Sequence, residues 1–354
     1  MSTRAEQFPG TCPPLAGVTR NESGVEHSRR TIQYQTSKIH YPITIIQIIP
    51  YFYPPVRLRQ TGGRTTTMTQ YTNIQFSQLD YEGLKTLVAW AQEEGWNPGP
   101  HDAEAFWAAD PDGFVGCFLN GELIGGGSIV SYNGHFGFMG FFIVKPEYRA
   151  EGIGRQLWYQ RRDMLLARLR PGAPIGMDGV PAMQPFYTKG GFTIAFRNER
   201  YETTGRPCQV DEHISPVADE DIPALLVYDR ECFGYDRRQF MLPWLRLPGN
   251  HTFKYMHDGE LKGFAILRKA GTGYKIGPLF ARDAAIADAL YLACHNAVPG
   301  QQLYIDIPVA NTAAQQMVQR HNATYVFECA RMYYGTPSAL PVQQIFGITS
   351  FELG

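Results

Sequence analysis

Clustered cysteines are missing from this sequence. Cys12, Cys117, Cys208, Cys232, Cys294 and Cys329 lie far apart in a chain of 354 residues, with no Cys-x-x-Cys or Cys/His group. No structural zinc site and no disulfide framework is signalled, and the pattern fits a reducing, cytoplasmic setting. No metal is expected. Charge is also scarce: Asp, Glu, Lys and Arg make up 18% of the chain, against the ~25% usual for soluble domains. The 32 basic and 33 acidic residues leave a net charge of −1. So neutral a balance argues against nucleic acid or an anionic membrane as the main partner. Long apolar runs are absent as well. The stretch Ile43 to Val56 is broken by Pro50, Pro54 and Pro55 and is shorter than the ~20 residues of a membrane span. What remains is 44% hydrophobic and 13% aromatic. That is enough for two cores, which the length also suggests.

The near-neutral total conceals an asymmetry. Residues 1–70 carry 8 Lys+Arg, 3 Asp+Glu and seven prolines, a net of +5, whereas the rest of the chain sums to −6. This leader has no clear periodicity, so residues 1–70 are expected to be a weakly ordered N-terminal extension. It resembles an organelle transit peptide only faintly. Another reading takes Met68 as the physiological start.

Periodicity sets in after Thr72. Residues 80–94 repeat at helical spacing with Asp80 as N-cap and Gly95 as C-terminal stop. Trp96 to Asp102 is a dense turn, with Asp102 expected to cap a second helix over Ala103–Ala108. Phe114–Leu119 and Glu122–Ser131 read as a hairpin across Asn120-Gly121. His135–Val144 reads as one more strand. A tight loop containing Gly152 and Gly154 follows, then an amphipathic helix from Gln156 to Leu169. Pro174–Val180 reads as a strand, Ala182–Lys189 as a helix and Phe192–Tyr201 as a strand.

A glycine-rich turn opening a helix aims backbone N–H groups and the positive end of the helix dipole at one spot, which suits phosphate. Arg155-Gln156 is not the Lys-Ser/Thr pair of a P-loop, and Ile153 and Leu157 deny the third glycine of a dinucleotide fingerprint. The wider pattern is more specific. A hydrophobic strand, Val144-Lys145-Pro146-Glu147-Tyr148-Arg149, then Gly152 and Gly154 and a helix, resembles the acyl-CoA motif of the GNAT N-acetyltransferases. Phe186-Tyr187-Thr188-Lys189-Gly190-Gly191-Phe192 resembles that family's later helix-to-strand segment.

The resemblance implies roles. Phe142, Ile143 and Val144 would flank the pantetheine arm of acetyl-CoA, and Arg149, Ala150, Glu151, Gly152, Ile153 and Gly154 would hold its pyrophosphate. Tyr187 would protonate the leaving thiolate. The general base is open: Asp178 is one candidate, Glu147, His101 and His135 are others, and each also reads as an ordinary polar residue. Trp96 and Asp102, with His135, are candidates to line the acceptor site. The family often has Asn seven residues before the tyrosine. Val180 stands there, so Gln184 or the backbone must complete that contact.

Residues 208–335 repeat the same order of elements in weaker form. Asn311-Thr312-Ala313-Ala314 resembles the family's Asn-x-x-Ala helix start, but Val318 stands where the tyrosine would be, and Ala281-Arg282-Asp283 lacks the glycines. This half resembles the C-terminal domain of two-domain YitH-type acetyltransferases. Asp236, Arg237, Asp306 and Arg331 stand out in its phrases, either as ligand contacts or as ion pairs.

The expectation is therefore an α/β (α+β) protein of tandem GNAT folds, each a mixed, mostly antiparallel twisted sheet flanked by helices. Residues 71–205 form the catalytic domain and residues 206–354 a degenerate second domain. The expected activity is acetyl-CoA-dependent N-acetylation of a small-molecule amine. Two alternatives stand beside it: a non-catalytic acyl-CoA-binding or regulatory module, and a protein (lysine or N-terminal) acetyltransferase. Homodimer formation is left open.

Overall fold

A computed structural model describes residues 73–354, all within one compact unit. The basic leader and the proposed start at Met68 lie outside the described residues. The first half runs β1 (Ile74–Gln78), α1 (Tyr81–Glu93), α2 (Asp102–Ala109), β2 (Phe114–Leu119), β3 (Glu122–Ser128), β4 (Val130–Tyr132), β5 (Phe136–Phe138), β6 (Ile143–Val144), α3 (Ile153–Arg168), β7 (Ile175–Gly179), α4 (Gln184–Lys189) and β8 (Thr193–Thr204). The second half runs β9 (Ile214–Pro216), α5 (Ile222–Phe233), α6 (Arg238–Leu245), β10 (His251–His257), β11 (Glu260–Lys269), β12 (Tyr274–Ala281), α7 (Ala284–Ala297), β13 (Gln302–Pro308), α8 (Thr312–Arg320), β14 (Thr324–Tyr334) and β15 (Ile345–Gly347).

Local chemistry sets many of these boundaries. Asp80 starts α1 by accepting from the Gly83 N–H at 2.8 Å. Asp283 and Asn311 start α7 and α8, each accepting from two first-turn amides. Such caps satisfy donors that the helix itself cannot. Asn120 and Gly121 both have positive φ, 50° and 87°, as the two-residue turn between β2 and β3 requires.

The expected strand over His135–Val144 is broken. β5 and β6 belong to different sheets, and Phe141 between them has a left-handed φ of 47°. One sheet has the order β1-β2-β3-β6. β5 instead pairs in parallel with β7. The chain thus leaves one sheet and joins the other within four residues, opening a gap beside β6. Helix α3 begins at Ile153, earlier than the expected Gln156, because Gly152 itself takes the left-handed N-cap position.

The larger sheet runs β4-β5-β7-β14-β8-β13-β12-β11-β10-β9, with β15 beside β12. Its order shows an exchange. β14, from the second half, lies between β7 and β8 of the first, and β8 lies between β14 and β13 of the second. Each half is completed by a strand from the other, so the sequence boundary near residue 205 is not a boundary in the sheet. The α3 side of this sheet is packed with Trp158, Leu165, Met177, Tyr187, Phe192, Ala330 and Met332, again from both halves. No helix of the described residues is long and apolar enough to cross a membrane.

Candidate active site

The loop before α3 is shaped by backbone. Ala150 has φ 65° and Gly152 has φ 82°, a region where glycine carries no Cβ penalty. No described residue accepts a hydrogen bond from the N–H groups of residues 150 to 155. They remain available at the positive end of a 16-residue helix. Among the described residues a Cβ built on Gly154 would meet only Phe142 at 3.5 Å and Val144 at 3.7 Å. Their packing does not require glycine there.

Arg149 has partners within the protein. Its Nε donates to the Val144 carbonyl at 2.7 Å and its guanidinium pairs with Glu94, the C-cap of α1. It braces the loop against β6 and α1. Glu151 is exposed and Ile153 is buried under the loop. Glu147 is exposed in the short turn before it. Ile143 and Val144 pair with Gly126 and Gly125 of β3, and β6 is the last strand of its sheet. On the other edge of β6 the Val144 carbonyl is taken by Arg149, which leaves the Val144 N–H for an extended ligand.

Tyr187 lies beneath β7. A Cβ on Gly179 would come within 2.9 Å of its ring, so that glycine makes room for it. Its other face stacks on Trp158 of α3, with centroids 5.9 Å apart. Burial pushes the Tyr187 hydroxyl well above its ordinary pKa, and the cation of Arg161 pulls the other way. Arg161 itself was not singled out from the sequence. It is buried on the same side of α3 and its Nη2 donates to the carbonyls of Ser128 and Gly140, both at 2.5 Å. Its Nε and Nη1, like the Nε1 of Trp158, have no partner among the described residues.

Asp178 turns to the opposite face of β7. Arg331 donates to it from Nε and Nη2 at 3.0 and 2.8 Å, and Asn198 Nδ2 adds a third bond at 3.0 Å. Burial holds its carboxyl above the usual range against the pull of Arg331. Asp178 and Tyr187 are thus on opposite sides of one strand, and both carboxylate oxygens are engaged.

The acceptor candidates separate. The ring of Trp96 packs against Phe141 at the gap, with centroids 6.4 Å apart. Asp102 does not cap α2 with its side chain. Its carboxylate instead accepts from the Gly99 N–H at 2.7 Å and from Arg268 Nη1 at 2.6 and 2.7 Å, a buried link to β11. His101, just before α2, bonds Glu104 at 2.8 Å. His135 is exposed in the β4–β5 turn, next to Gly134, which packs on Arg168 and Arg170. That is the far end of α3, about 24 Å from the glycine loop at 1.5 Å per residue. Gln184 donates to the Gly179 carbonyl at 3.0 Å and so steadies the turn into α4.

The four polar residues flagged in the second half all form ion pairs. Arg331 takes Asp178, Asp306 takes Arg200 at 2.6 Å, Arg237 takes Asp229 at 2.7 Å, and half-buried Asp236 takes exposed Arg238 at 2.9 Å. Among the described residues no group of three or more His, Cys, Asp or Glu is placed to hold a metal ion.

Both halves of the chain are similar to known proteins. Residues 81–192 match the model of the acetyltransferase (GNAT) family, and residues 225–347 match a second acetyltransferase (GNAT) domain model. Holothin acyltransferase of Pseudoalteromonas sp. (strain SANK 73390) is 28% identical over 276 residues, covering 77% of this chain and 92% of that protein. An acetyltransferase of Pectobacterium atrosepticum is 34% identical over 97 residues, 26% of this chain and 66% of that protein. In fold, a crystal structure of an acetyltransferase from Pyrococcus horikoshii superposes with a TM-score of 0.68 at 23% identity, over 80% of this chain and 96% of that one. A tandem GNAT protein from the clavulanic acid biosynthesis pathway gives a TM-score of 0.53 at 15% identity, over 75% and 100%. With two such domains in sequence and their sheets exchanging strands, the chain belongs to the GNAT acetyltransferase superfamily and is an acyltransferase with two GNAT domains.

Proposed function

We propose that the first domain moves an acetyl group from acetyl-CoA directly to the amine of a small-molecule acceptor. In this reading the free N–H groups of residues 150 to 155 hold the pyrophosphate. The pantetheine arm lies along the open edge of β6, past Phe142, Ile143 and Val144. The observation that carries the reading is the pair of glycines. Gly152 is needed for its φ of 82°, whereas Gly154 is needed by nothing among the described residues. A glycine that packing does not require, at a helix N-terminus with unused amides, suits close approach of a phosphate.

Tyr187 is the proton donor to the departing thiolate. Its raised pKa keeps it protonated, as an acid must be before transfer. Asp178 is left out of the acid–base chemistry, since Arg331 and Asn198 already occupy its oxygens. Arg149 acts by holding the loop, and the phosphate contact falls to backbone. Trp96 is kept as an acceptor-side residue through its contact with Phe141. The name of the Pseudoalteromonas relative speaks of acyl rather than acetyl transfer, so longer acyl donors belong in the test.

The test is incubation with acetyl-CoA, and with longer acyl-CoAs, against a panel of amines while free thiol is followed. Thiol release that depends on an amine is expected. Failure of any acyl-CoA to bind would overturn the reading.

A further inference from the structure

One face of the large sheet carries a charged row that crosses both halves. Register places it. Asp178 of β7 opposes Arg331 of β14, Cys329 of β14 opposes Asn198 of β8, Arg200 of β8 opposes Asp306 of β13, and Lys275 of β12 opposes Tyr304 of β13. Opposed residues, and residues two apart on a strand, share a face. Most of the charge there is paired. Asp178 is held by Arg331, Asp306 by Arg200 at 2.6 and 2.7 Å, and Asp102 above the row by Arg268.

Two groups are left over. Lys275 Nζ donates to the Trp96 carbonyl at 2.9 Å and has no other hydrogen bond to a described residue. Glu352 is 6% exposed, yet its carboxylate accepts no hydrogen bond from any described residue. Neither carboxylate oxygen is sealed from solvent, so both are open to an incoming donor. The Glu352 backbone and the Trp96 that Lys275 bonds both lie against the Gly140–Phe141 break before β6. A Cβ on Gly140 would lie 2.0 Å from the Glu352 carbonyl, and Ser128 Oγ donates to that carbonyl at 3.4 Å. Trp96, which binds Lys275, packs on Phe141.

We propose that Glu352 receives the acceptor as its ammonium ion and that Lys275 removes a proton from it. The proposal rests on the acyl-CoA reading above, and both residues come from the second half of the chain. In the step, the neutral Lys275 amine takes one proton from R–NH3+, giving R–NH2 and a lysine ammonium. The amine lone pair then forms the C–N bond at the acyl carbonyl, and the C–S bond breaks as the tetrahedral intermediate collapses. The thiolate takes the Tyr187 proton, the nitrogen loses its second proton to restore Tyr187 through solvent, and Lys275 returns its own to solvent.

The electrostatics fit that role. Burial and Arg200, with help from Arg268, push the Lys275 pKa down to about 7, while Glu352 and Asp306 oppose them. Asp102 on α2 also faces it. A substantial share of Lys275 is then the free base at neutral pH, which suits a proton acceptor.

Steady-state rates of the wild-type protein, with butylamine as reference probe beside the fastest primary amine of the panel, decide the matter first. The acidic limb of kcat/KM is expected near pH 7. A limb following the amine's own titration near ~10 would overturn the proposal without any variant being made. Glu352→Gln is expected to raise the acceptor KM at least ten-fold, with acyl-CoA affinity by calorimetry unchanged. Lys275→Met is expected to lose the limb near pH 7 and on the order of 100-fold in kcat/KM. An unchanged acceptor KM in Glu352→Gln would also overturn it. A merely structural role would instead shift acyl-CoA affinity and melting temperature together. If no primary amine releases thiol from any acyl-CoA, the acyl-transfer reading falls and takes this proposal with it. If thiol is released but these signatures are missing, this proposal alone fails.

Discussion

Arg331 of β14 grips Asp178 of β7 with two hydrogen bonds, at 3.0 and 2.8 Å, between side chains that are both buried. The bonds join the two halves at the exchanged strand. Removing one partner of a buried pair strands the other's charge, at a cost of about 3–5 kcal/mol. Arg331→Met is therefore expected to lower the midpoint of denaturant unfolding sharply. Asp178→Asn added to it should recover much of that loss, giving a positive coupling in a double-mutant cycle. Additive effects would show that the pair is not what joins the halves. The Asp178→Asn single variant, corrected for folded fraction, should keep its turnover. Loss of turnover in fully folded protein would return Asp178 to the acid–base chemistry.

That pair also marks what the sequence could not disclose. Local features were readable because their causes are local. Asp80 caps a helix, Asn311 starts another, and Gly152 takes the backbone region that glycine tolerates best. Partners far away in sequence were not readable. Asp178 and Arg331 are 153 residues apart, and Asp102 and Arg268 are 166 apart. Alternation of apolar and polar residues fixes which face a strand side chain occupies, but not which strand lies alongside. The strand exchange left no mark on composition for that reason. Residues 135–144 likewise read as one strand, since nothing in a run of Phe, Met and Ile announces the left-handed turn at Phe141. Asp178 and Asp102 were carboxylates in plausible places, and the arginines that hold them lay too far along the chain to be read.

Tyr187 gives the sharpest kinetic test of the catalytic reading. Tyr187→Phe keeps the ring that stacks on Trp158 and fills the space over Gly179, so folding should be nearly unchanged. Loss of the proton donor should lower kcat by about 10²–10⁴-fold while acyl-CoA affinity holds. Full turnover in this variant would remove Tyr187 from the mechanism.

The two loop glycines should separate stability from binding. At Gly152 any side chain sits at φ 82°, and the left-handed conformation costs an alanine roughly 1–2 kcal/mol. At Gly154 an added Cβ meets, among the described residues, only ordinary contacts at 3.5 and 3.7 Å. Gly154→Ala is therefore expected to melt within a degree or two of wild type and to bind acyl-CoA at least ten-fold more weakly in calorimetry. Unchanged affinity would move the pyrophosphate away from this helix start.

A last prediction concerns acid stability, far from the proposed chemistry. His295 in α7 has no solvent exposure, and its ring lies edge-on to Tyr291 at 4.6 Å. Burial lowers its pKa from 6.5 to about 4, with Arg206 and His321 adding to the effect. Between those two values the unfolded chain binds a proton that the folded protein refuses. The unfolded state then carries more protons, so stability rises with pH across this window and is level above it. A shift of this size corresponds to on the order of 3 kcal/mol. His295→Leu removes the titrating group while keeping an apolar side chain in the core. Its unfolding free energy, measured in denaturant from pH 4 to pH 7, is expected to change less steeply than that of wild type. Equal slopes for the two proteins over that range would assign the acid sensitivity to other groups.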